Sequence, residues 1–317
     1  MNYCIGVDLG GSHVACGCVG LDGEITGYSE REIDRTESPE KIISEKVCGV
    51  IFDCMEKIGD LKRNIIGIGI GIPGRTDSKK GICVFAPNLG WHDVDVAGPI
   101  GKKTGLPVFI LNDARAMAVG EKYFGNGRDC DDFICIAIGT GIGGGIVSGG
   151  RLLLGANEAA GEIGHVTVDP DGPECGCGNH GCVEALASRL GIVKRAQEAI
   201  KNGEPTILKS EGLSSKDVFD AAEKGDGLSL KIWEDTGKYL GRAIASIATT
   251  VNPKRILFSG RVSNAWDFFL PSLKKELKER ARMVPVEKME FMRAKFEDNA
   301  GIIGNAGRAF EQLGLIS

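Results

Sequence analysis

An α/β fold built from two similar halves is predicted by three features of this 317-residue chain: short apolar strands alternate with helical segments, a strand–glycine turn–strand pattern occurs twice, and the length is great for a single core. Strand, helix, strand, helix in this order implies an α/β sheet that takes ligands at its strand ends. Two domains are the natural division for a chain of this size.

The elements follow in order. Tyr3 to Asp8 is an apolar strand, Gly10-Gly11-Ser12 a turn, and His13 to Val19 the return strand. A third strand after Asp22-Gly23 completes an antiparallel meander. From about Pro39 to Lys57, Ile42, Ile43, Val47, Val50, Ile51 and Cys54 recur at helical spacing, which predicts a helix. Ile65 to Ile72 reads as a buried strand ended by Pro73-Gly74, and Val108 to Leu111 as a strand running into Asn112-Asp113 before a helix over Ala114 to Phe124. The pattern then restarts: Phe133 to Ile138 is a strand, Gly139 to Gly145 a glycine-rich turn, and Ile146 to Ser148 the return. This echo of Tyr3 to Val19 predicts two related lobes, each opening with a hairpin whose turn points into a shared cleft. Repetition, not composition, puts the boundary near Asp113 to Gly127. A long helix follows from about Leu228 to Val251, with Ile232, Leu240, Ala243, Ile244, Ile247 and Val251 on one face. Asn252-Pro253 stops it, and Arg255 to Phe258 is a further strand before Ser259-Gly260.

Composition excludes some functions. A formal charge of -5 leaves no strongly basic surface for nucleic acid or anionic lipid, so neither is an expected partner. The start, MNYCIGVDLGG, lacks a basic n-region, and no apolar run approaches the roughly 20 residues that span a bilayer; a cytoplasmic protein is expected. Of eleven cysteines, eight (Cys4, Cys16, Cys18, Cys48, Cys54, Cys83, Cys130, Cys135) are scattered through apolar segments and read as reduced core thiols.

The other three belong to the most informative stretch, Gly161 to Glu184. His165, Cys175, Cys177 and Cys182 read H-x9-C-x-C-x4-C. Thiolates and a neutral imidazole with no aspartate among them suit a closed, tetrahedral structural zinc site. Three ordinary thiols would sit in apolar packing; these lie among Gly, Asn, His and Pro.

Two glycine-rich turns, Asp8-Leu9-Gly10-Gly11-Ser12 and Gly139-Thr140-Gly141-Ile142-Gly143-Gly144-Gly145, offer backbone N–H groups free of side chains, as phosphate cradles do. Tight hairpins without a ligand use glycine too, but two such turns between apolar strands favour phosphate. Gly139 to Gly144 matches G-x-G-x-x-G, with Glu158 or Glu162 near the spacing of a ribose-binding acid. A dinucleotide fingerprint opens a helix, however, and Gly143 to Gly150 can hardly start one. There is no G-x-x-x-x-G-K-[ST] run, and Gly101-Lys102-Lys103-Thr104 is only a partial lookalike. Asp8 can hold Mg2+ directly or through water, or simply form a turn. Asp113 can accept a proton from an attacking hydroxyl, or cap the following helix together with Asn112.

Taken together, Asp8 to Ser12, Asn112-Asp113-Ala114, Gly139 to Gly145, Gly161-Glu162-Ile163-Gly164-His165 and Cys175 to Glu184 resemble the ROK family of sugar kinases and repressors. The motifs stand in the family order and cover nearly the whole chain. The resemblance implies an α/β, two-lobed actin-like ATPase (ribonuclease H-like) fold with the structural zinc site in the larger lobe. The smaller lobe would comprise residues 1–118 plus 302–317, and the larger 119–301. It implies ATP and Mg2+ at Asp8, Gly10, Gly11, Ser12, Gly139, Thr140, Gly141, Gly143, Gly260 and Gly301. Asp113 would be the general base for a hexose C6 hydroxyl, with Gly71, Asn88, Asn112, Glu162, His165 and Glu184 at the sugar. Gly71 and Gly74 would let backbone approach the ring. His165 would serve zinc and sugar together, so zinc would position the sugar site through it and through the link from Cys182 to Glu184. Trp91 reads as packing more than as a stacking platform. Arg261 departs from the family's glycine after the late strand, and either crowds the nucleoside or adds a phosphate contact. Arg115 stands where Asn is commoner and reads either as a modifier of the base's environment or as a solvated arginine.

The expected activity is phosphorylation of glucose to glucose 6-phosphate. N-acetylglucosamine, N-acetylmannosamine, mannose, allose and fructose are alternatives, and a homodimer or homotetramer is implied. A sugar-responsive repressor is the rival from another class, but Asp8 so near the start leaves no room for a preceding helix-turn-helix. A sensor with a degenerate kinase site is disfavoured by the intact Asp8, Asp113 and glycine turns.

Overall fold

The computed structural model describes residues 2–316. The chain divides into two compact units: Met1–Asp131, Gly145–Gly161 and Ala294–Ser317 form one, and Asp132–Gly144 with Glu162–Arg293 the other.

The first unit opens with the expected meander, β1 (Tyr3–Leu9), β2 (His13–Gly20) and β3 (Ile25–Glu32). The β1–β2 register pairs Leu9 with Val14 and Asp8 with Ala15, which leaves Gly10 to Ser12 as the turn. The predicted helix over Pro39 to Lys57 is α1 (Pro39–Lys41), a π-helical stretch (Ile42–Val47) and α2 (Cys48–Lys57). Its six apolar positions are all buried. β4 (Ile65–Ile72) lies parallel to β1. A small antiparallel sheet follows, made of β5 (Arg75–Asp77), β6 (Ile82–Ala86) and β7 (Trp91–Asp95). Sequence reading missed it because strands of three to five residues with exposed polar positions carry little periodicity. After α3 (Ala97–Thr104), β8 (Val108–Asn112) pairs with β4 and leads into α4 (Asp113–Phe124), giving the order β3-β2-β1-β4-β8.

β9 (Phe133–Ile138) matches expectation, whereas β10 runs over Ile142–Ser148, so the turn is only Gly139-Thr140-Gly141. Gly143, assigned to that turn, lies inside the strand. The glycines there make room rather than bend the chain: a Cβ at Gly144 would fall 2.3 Å from the Ile163 side chain and one at Gly145 2.5 Å from Ala118. With β11 (Arg151–Leu152), β12 (Arg255–Ser259) and β13 (Glu290–Arg293), the second sheet has the order β11-β10-β9-β12-β13, and the division between units falls within β10. In both sheets three strands consecutive in the chain are extended by two parallel strands reached by crossovers. The predicted duplication is therefore present in the topology.

Between β11 and β12 lie α5 (Val183–Ala187), α6 (Arg189–Lys201), α7 (Ser215–Glu223) and α8 (Gly227–Val251). Asp226 caps α8 by accepting from the Ser229 N–H at 2.9 Å, and Asn252 ends it in the left-handed region at φ 46°. Ile232, Leu240, Ala243 and Ile244 are buried as predicted, while Ile247 and Val251 are half-buried. α9 (Trp266–Arg280) follows β12, and α10 (Ala300–Gln312) returns to the first unit.

The alternation of Gly and Ile from Ile66 to Ile72 explains how α10 packs. A Cβ at Gly69 would lie 1.8 Å from the Asn305 carbonyl oxygen, and one at Gly6 1.8 Å from that of Ile302. Glycine on one face thus lets α10 rest directly on β1 and β4, while Ile68, Ile70 and Ile72 fill the opposite core. α4 also packs against α10, with a Cβ at Gly304 falling 1.8 Å from the Ala116 oxygen. The boundary expected between residues 118 and 119 falls inside α4, which is held whole in the first unit by this packing. All eight scattered cysteines are buried, and none forms a disulfide among the described residues. No helix among the described residues is long and apolar enough to cross a membrane.

Candidate functional site

In the first unit, Asp8 sits near the C-terminal end of β1, against the start of α10. A Cβ at Gly301 would meet the Asp8 carboxyl carbon at 2.7 Å, so only glycine there leaves the carboxylate its place. Burial raises the Asp8 pKa above the usual carboxylate value, and His13 opposes this. The Gly10 N–H donates to the His13 carbonyl at 2.9 Å, closing the turn, and Gly11 lies beside the exposed Asn88. The structure therefore gathers Asp8, Gly10, Gly11, Asn88 and Gly301. Ser12, at the exposed edge of the turn, has its hydroxyl 3.1 Å from His13 Nδ1.

Asn112 and Asp113 join β8 to α4. Asn112 is the N-cap: its Oδ1 accepts from the Arg115 N–H at 3.2 Å, and its Nδ2 donates to the Gly74 carbonyl at 2.9 Å. Asp113 is the first helical residue, and its Oδ1 accepts from the Ala114 N–H at 2.8 Å. The N-cap role thus falls to Asn112, not Asp113. Gly71 faces α10, where a Cβ would lie 2.4 Å from Asn305 Nδ2. Close helix packing accounts for it. Arg115 is 1% exposed, and its Nε donates to the Ala160 carbonyl at 2.7 Å, so the solvated alternative is wrong. Trp91, also 1% exposed, is a packing residue. Glu158 binds the Ser78 hydroxyl and N–H at 2.6 and 2.8 Å, which ends its candidacy as a ribose acid.

In the second unit, the Gly139 N–H donates to Gly141 O at 2.9 Å to close the other turn, and Arg189 Nη2 donates to the Thr140 hydroxyl at 2.8 Å. Glu184, in the first turn of α5, accepts from the Ile142 N–H at 2.8 Å. A Cβ at Gly141 would lie 2.4 Å from the same carboxylate. Cys175 Sγ lies 3.8 Å from the other Glu184 oxygen, so this one side chain joins the cysteine cluster to the glycine turn. Sequence reading had linked Glu184 to the cluster, but not to the turn. Glu162 precedes the short 3-10 turn Ile163–His165 that presents the imidazole. Gly260, at φ 85°, sits where a Cβ would strike Ile138 O at 2.5 Å, and Arg261 beside it is exposed.

His165, Cys175, Cys177 and Cys182 bring their ligand atoms within 4.8 Å of one another. Cys177 and Cys182 sulfurs stand 3.7 Å apart, and Cys175 sulfur 3.8 Å from His165 Nδ1. A tetrahedron with metal–sulfur bonds of about 2.3 Å has edges of roughly 3.8 Å, so the donor set fits a zinc-sized ion. The Asn179 N–H draws the Cys177 thiol below its usual pKa, while burial lifts Cys175 and pushes Cys182 up to about 12. A bound cation would replace those protons. Of the sugar candidates, Asn88, Asn112 and Asp113 belong to the first unit, and Glu162, His165 and Glu184 to the second.

Two residues in the supporting structure escaped sequence reading. Glu121, 1% exposed on α4, accepts from the backbone N–H groups of Asn126, Lys295 and Phe296 at 2.8, 2.8 and 3.0 Å. Arg195 on α6 donates to the carbonyls of Leu186 and Ile232, tying α5 to α8. No local pattern marks either, because their partners are distant in sequence.

A family model described as the ROK family matches residues 4–311. The chain belongs to the ROK family. A glucokinase of Halalkalibacterium halodurans is 35% identical over 95% of this chain and 92% of its own length. The xylose repressor of Bacillus subtilis is 32% identical over 95% of this chain and 75% of its own. Among solved structures, a ROK family glucokinase from Streptomyces griseus in complex with glucose and AMPPNP superimposes with a TM-score of 0.80 at 31% identity, covering 98% of this chain and 100% of that one. The α/β fold of the ROK kinases is thus shared by this chain.

Proposed function

We propose that this protein is an ATP- and Mg2+-dependent sugar kinase that phosphorylates a hexose at its C6 hydroxyl, with glucose the preferred acceptor. The observation that carries the reading is Asp113, a carboxylate just past the C-terminal end of β8, where Asn112 rather than Asp113 is the N-cap of α4. In this reading the Asp113 carboxylate takes the C6 proton, the freed oxygen attacks the γ-phosphorus in line, and ADP leaves with the β–γ bridging oxygen. The backbone of the turns Gly10 to Ser12 and Gly139 to Gly141 supports the phosphates, and Thr140 with Arg189 borders the second turn. Asp8 would hold Mg2+, which neutralises phosphate charge. Gly260 and Gly301 would border the nucleoside, with Arg261 adding a phosphate contact. Asn88, Asn112, Glu162, His165 and Glu184 would hold sugar hydroxyls. The cluster of His165, Cys175, Cys177 and Cys182 would hold a structural Zn2+ that keeps Glu184 in place.

The similar glucokinases and the glucose- and AMPPNP-bound structure of a relative support glucose and ATP. The other hexoses named above remain acceptors to be compared, because pocket shape selects among them. The repressors among the relatives give the second reading, a sugar-responsive regulator. ADP release from Mg-ATP, measured across glucose, N-acetylglucosamine, N-acetylmannosamine, mannose and fructose, separates the two. The expected result is turnover that favours glucose and falls by about 10³ or more in Asp113→Asn, within the range for loss of a general base. Sugar binding without turnover would favour the regulator.

A further inference from the structure

The C-terminal ends of α4 and α10 wall a cavity of about 850 Å³, within the size range of small-molecule sites. It is separate from the candidate site, which lies at the opposite ends of the same helices: Asp113 opens α4, and Asp8 meets the start of α10. Nine residues of helix, about 14 Å, separate Asp113 from Lys122.

The charge of the wall is opposite to that of the chain. Lys122, Arg128, Arg151 and Arg308 line the cavity against two carboxylates, Asp131 and Glu311, in a protein of net charge -5. Glu311 is already engaged: one oxygen accepts from the Tyr123 hydroxyl at 2.7 Å, and the other pairs with Arg308 Nη1 at 2.5 Å. The Asp131 carboxylate is exposed and stays a negative charge on the wall, outnumbered by the cations. Arg128 and Arg151 have no ion pair among the described residues. Arg308 is only 9% exposed, yet its buried Nε has no hydrogen-bond partner. Lys122, whose amine donates to the Tyr123 hydroxyl at 2.8 Å, is drawn below its ordinary pKa by burial, with Glu311 and Asp131 opposing and Arg151 adding to the shift. Two arginine forks, a half-buried amine and the Arg308 guanidinium around one space make a recognition set for phosphoryl oxygens.

We propose that this cavity is a second ligand site, for a small phosphorylated polyanion held by Lys122, Arg128, Arg151 and Arg308. The inference does not depend on which reaction the protein catalyses.

Pyridoxal 5′-phosphate tests it on the full-length protein, because it reports the position of the site as well as its charge. Its phosphate would seat on the arginines while its aldehyde condenses with the Lys122 amine, losing water; borohydride then delivers hydride to the imine and fixes a secondary amine. Peptide mapping should show Lys122 modified ahead of the other lysines, with inorganic pyrophosphate protecting it. The double variant Arg128→Glu, Arg151→Glu, both at exposed positions, should slow Lys122 labelling by about tenfold or more, as expected for reversing two charge-assisted contacts. Labelling of Lys122 no faster than that of exposed lysines would overturn the proposal. So would preferential labelling indifferent to pyrophosphate or to the charge reversal, since the amine would then be reactive without a phosphate site.

Discussion

Asp8 shows how a residue's chemistry can work against the stability of its fold. Its carboxylate is kept where burial disfavours charge, and Gly301 gives up a side chain so that it fits. An acid whose folded pKa is raised binds its proton more tightly in the folded state, so stability is lost as pH rises from the ordinary carboxylate value through the raised one. Asp8→Asn removes that loss. The variant should melt higher than the parent at neutral pH, the gap should close as pH falls below the ordinary value of 3.8, and turnover should collapse. Equal melting temperatures across the pH range would show that the charge costs the fold nothing. Asp8, Asp113 and the cluster ligands were legible because each stands in a compact local motif. Arg115 was not: nothing adjacent in sequence shows that its guanidinium reaches the carbonyl of Ala160.

Strand and helix positions followed from periodicity wherever one face was buried, as in β4, β8, β9 and α8. The exceptions have a common cause. In β10 the glycines look like a turn, yet the strand pairs along its length because Ile163 and Ala118 occupy the space that Cβ atoms would take. The small sheet β5–β7 lacks a buried alternation and left no signal. α4 depends on Glu121, whose carboxylate receives three backbone N–H groups from the loop after α4 and from the segment that returns to the first unit. Glu121→Ala would take the carboxylate acceptor away from those part-buried N–H groups, and should lower the unfolding free energy by about 2–3 kcal/mol. Glu121→Gln should cost less, since one amide oxygen still accepts while its NH2 faces the Asn126 N–H. Denaturant midpoints at constant m would measure both, and an alanine variant within about 0.5 kcal/mol of the parent would contradict the stapling role.

At the scale of the whole molecule, two sheets of matching topology carry two short glycine turns at corresponding positions, after β1 and after β9. The second unit also contains a long irregular segment from Glu162 to Cys182 that regular hydrogen bonding organises only in part, and the cluster joins His165 near its start to Cys175, Cys177 and Cys182 in its later part. If a zinc ion closes that segment, elemental analysis should find about one zinc per chain. Chelation, or Cys177→Ser, should then lower the melting temperature by on the order of 10 °C and release Glu184 from the Ile142 N–H. Protein that is fully folded and equally stable without metal would argue for a cluster of ordinary thiols.

The sequence by itself determined the α/β class, the duplication, the metal-ligand cluster and the two turns, because each is read from short local patterns or from their order along the chain. Tertiary structure alone decided where the chain divides: α10 rests on a glycine face of β1 and β4, α4 packs against α10, and the first unit is assembled from three separate stretches. It likewise decided that Glu184 serves the glycine turn and that four cations converge on a cavity far from Asp113. Packing distances between segments tens to hundreds of residues apart set those outcomes, and local pattern carries no record of them.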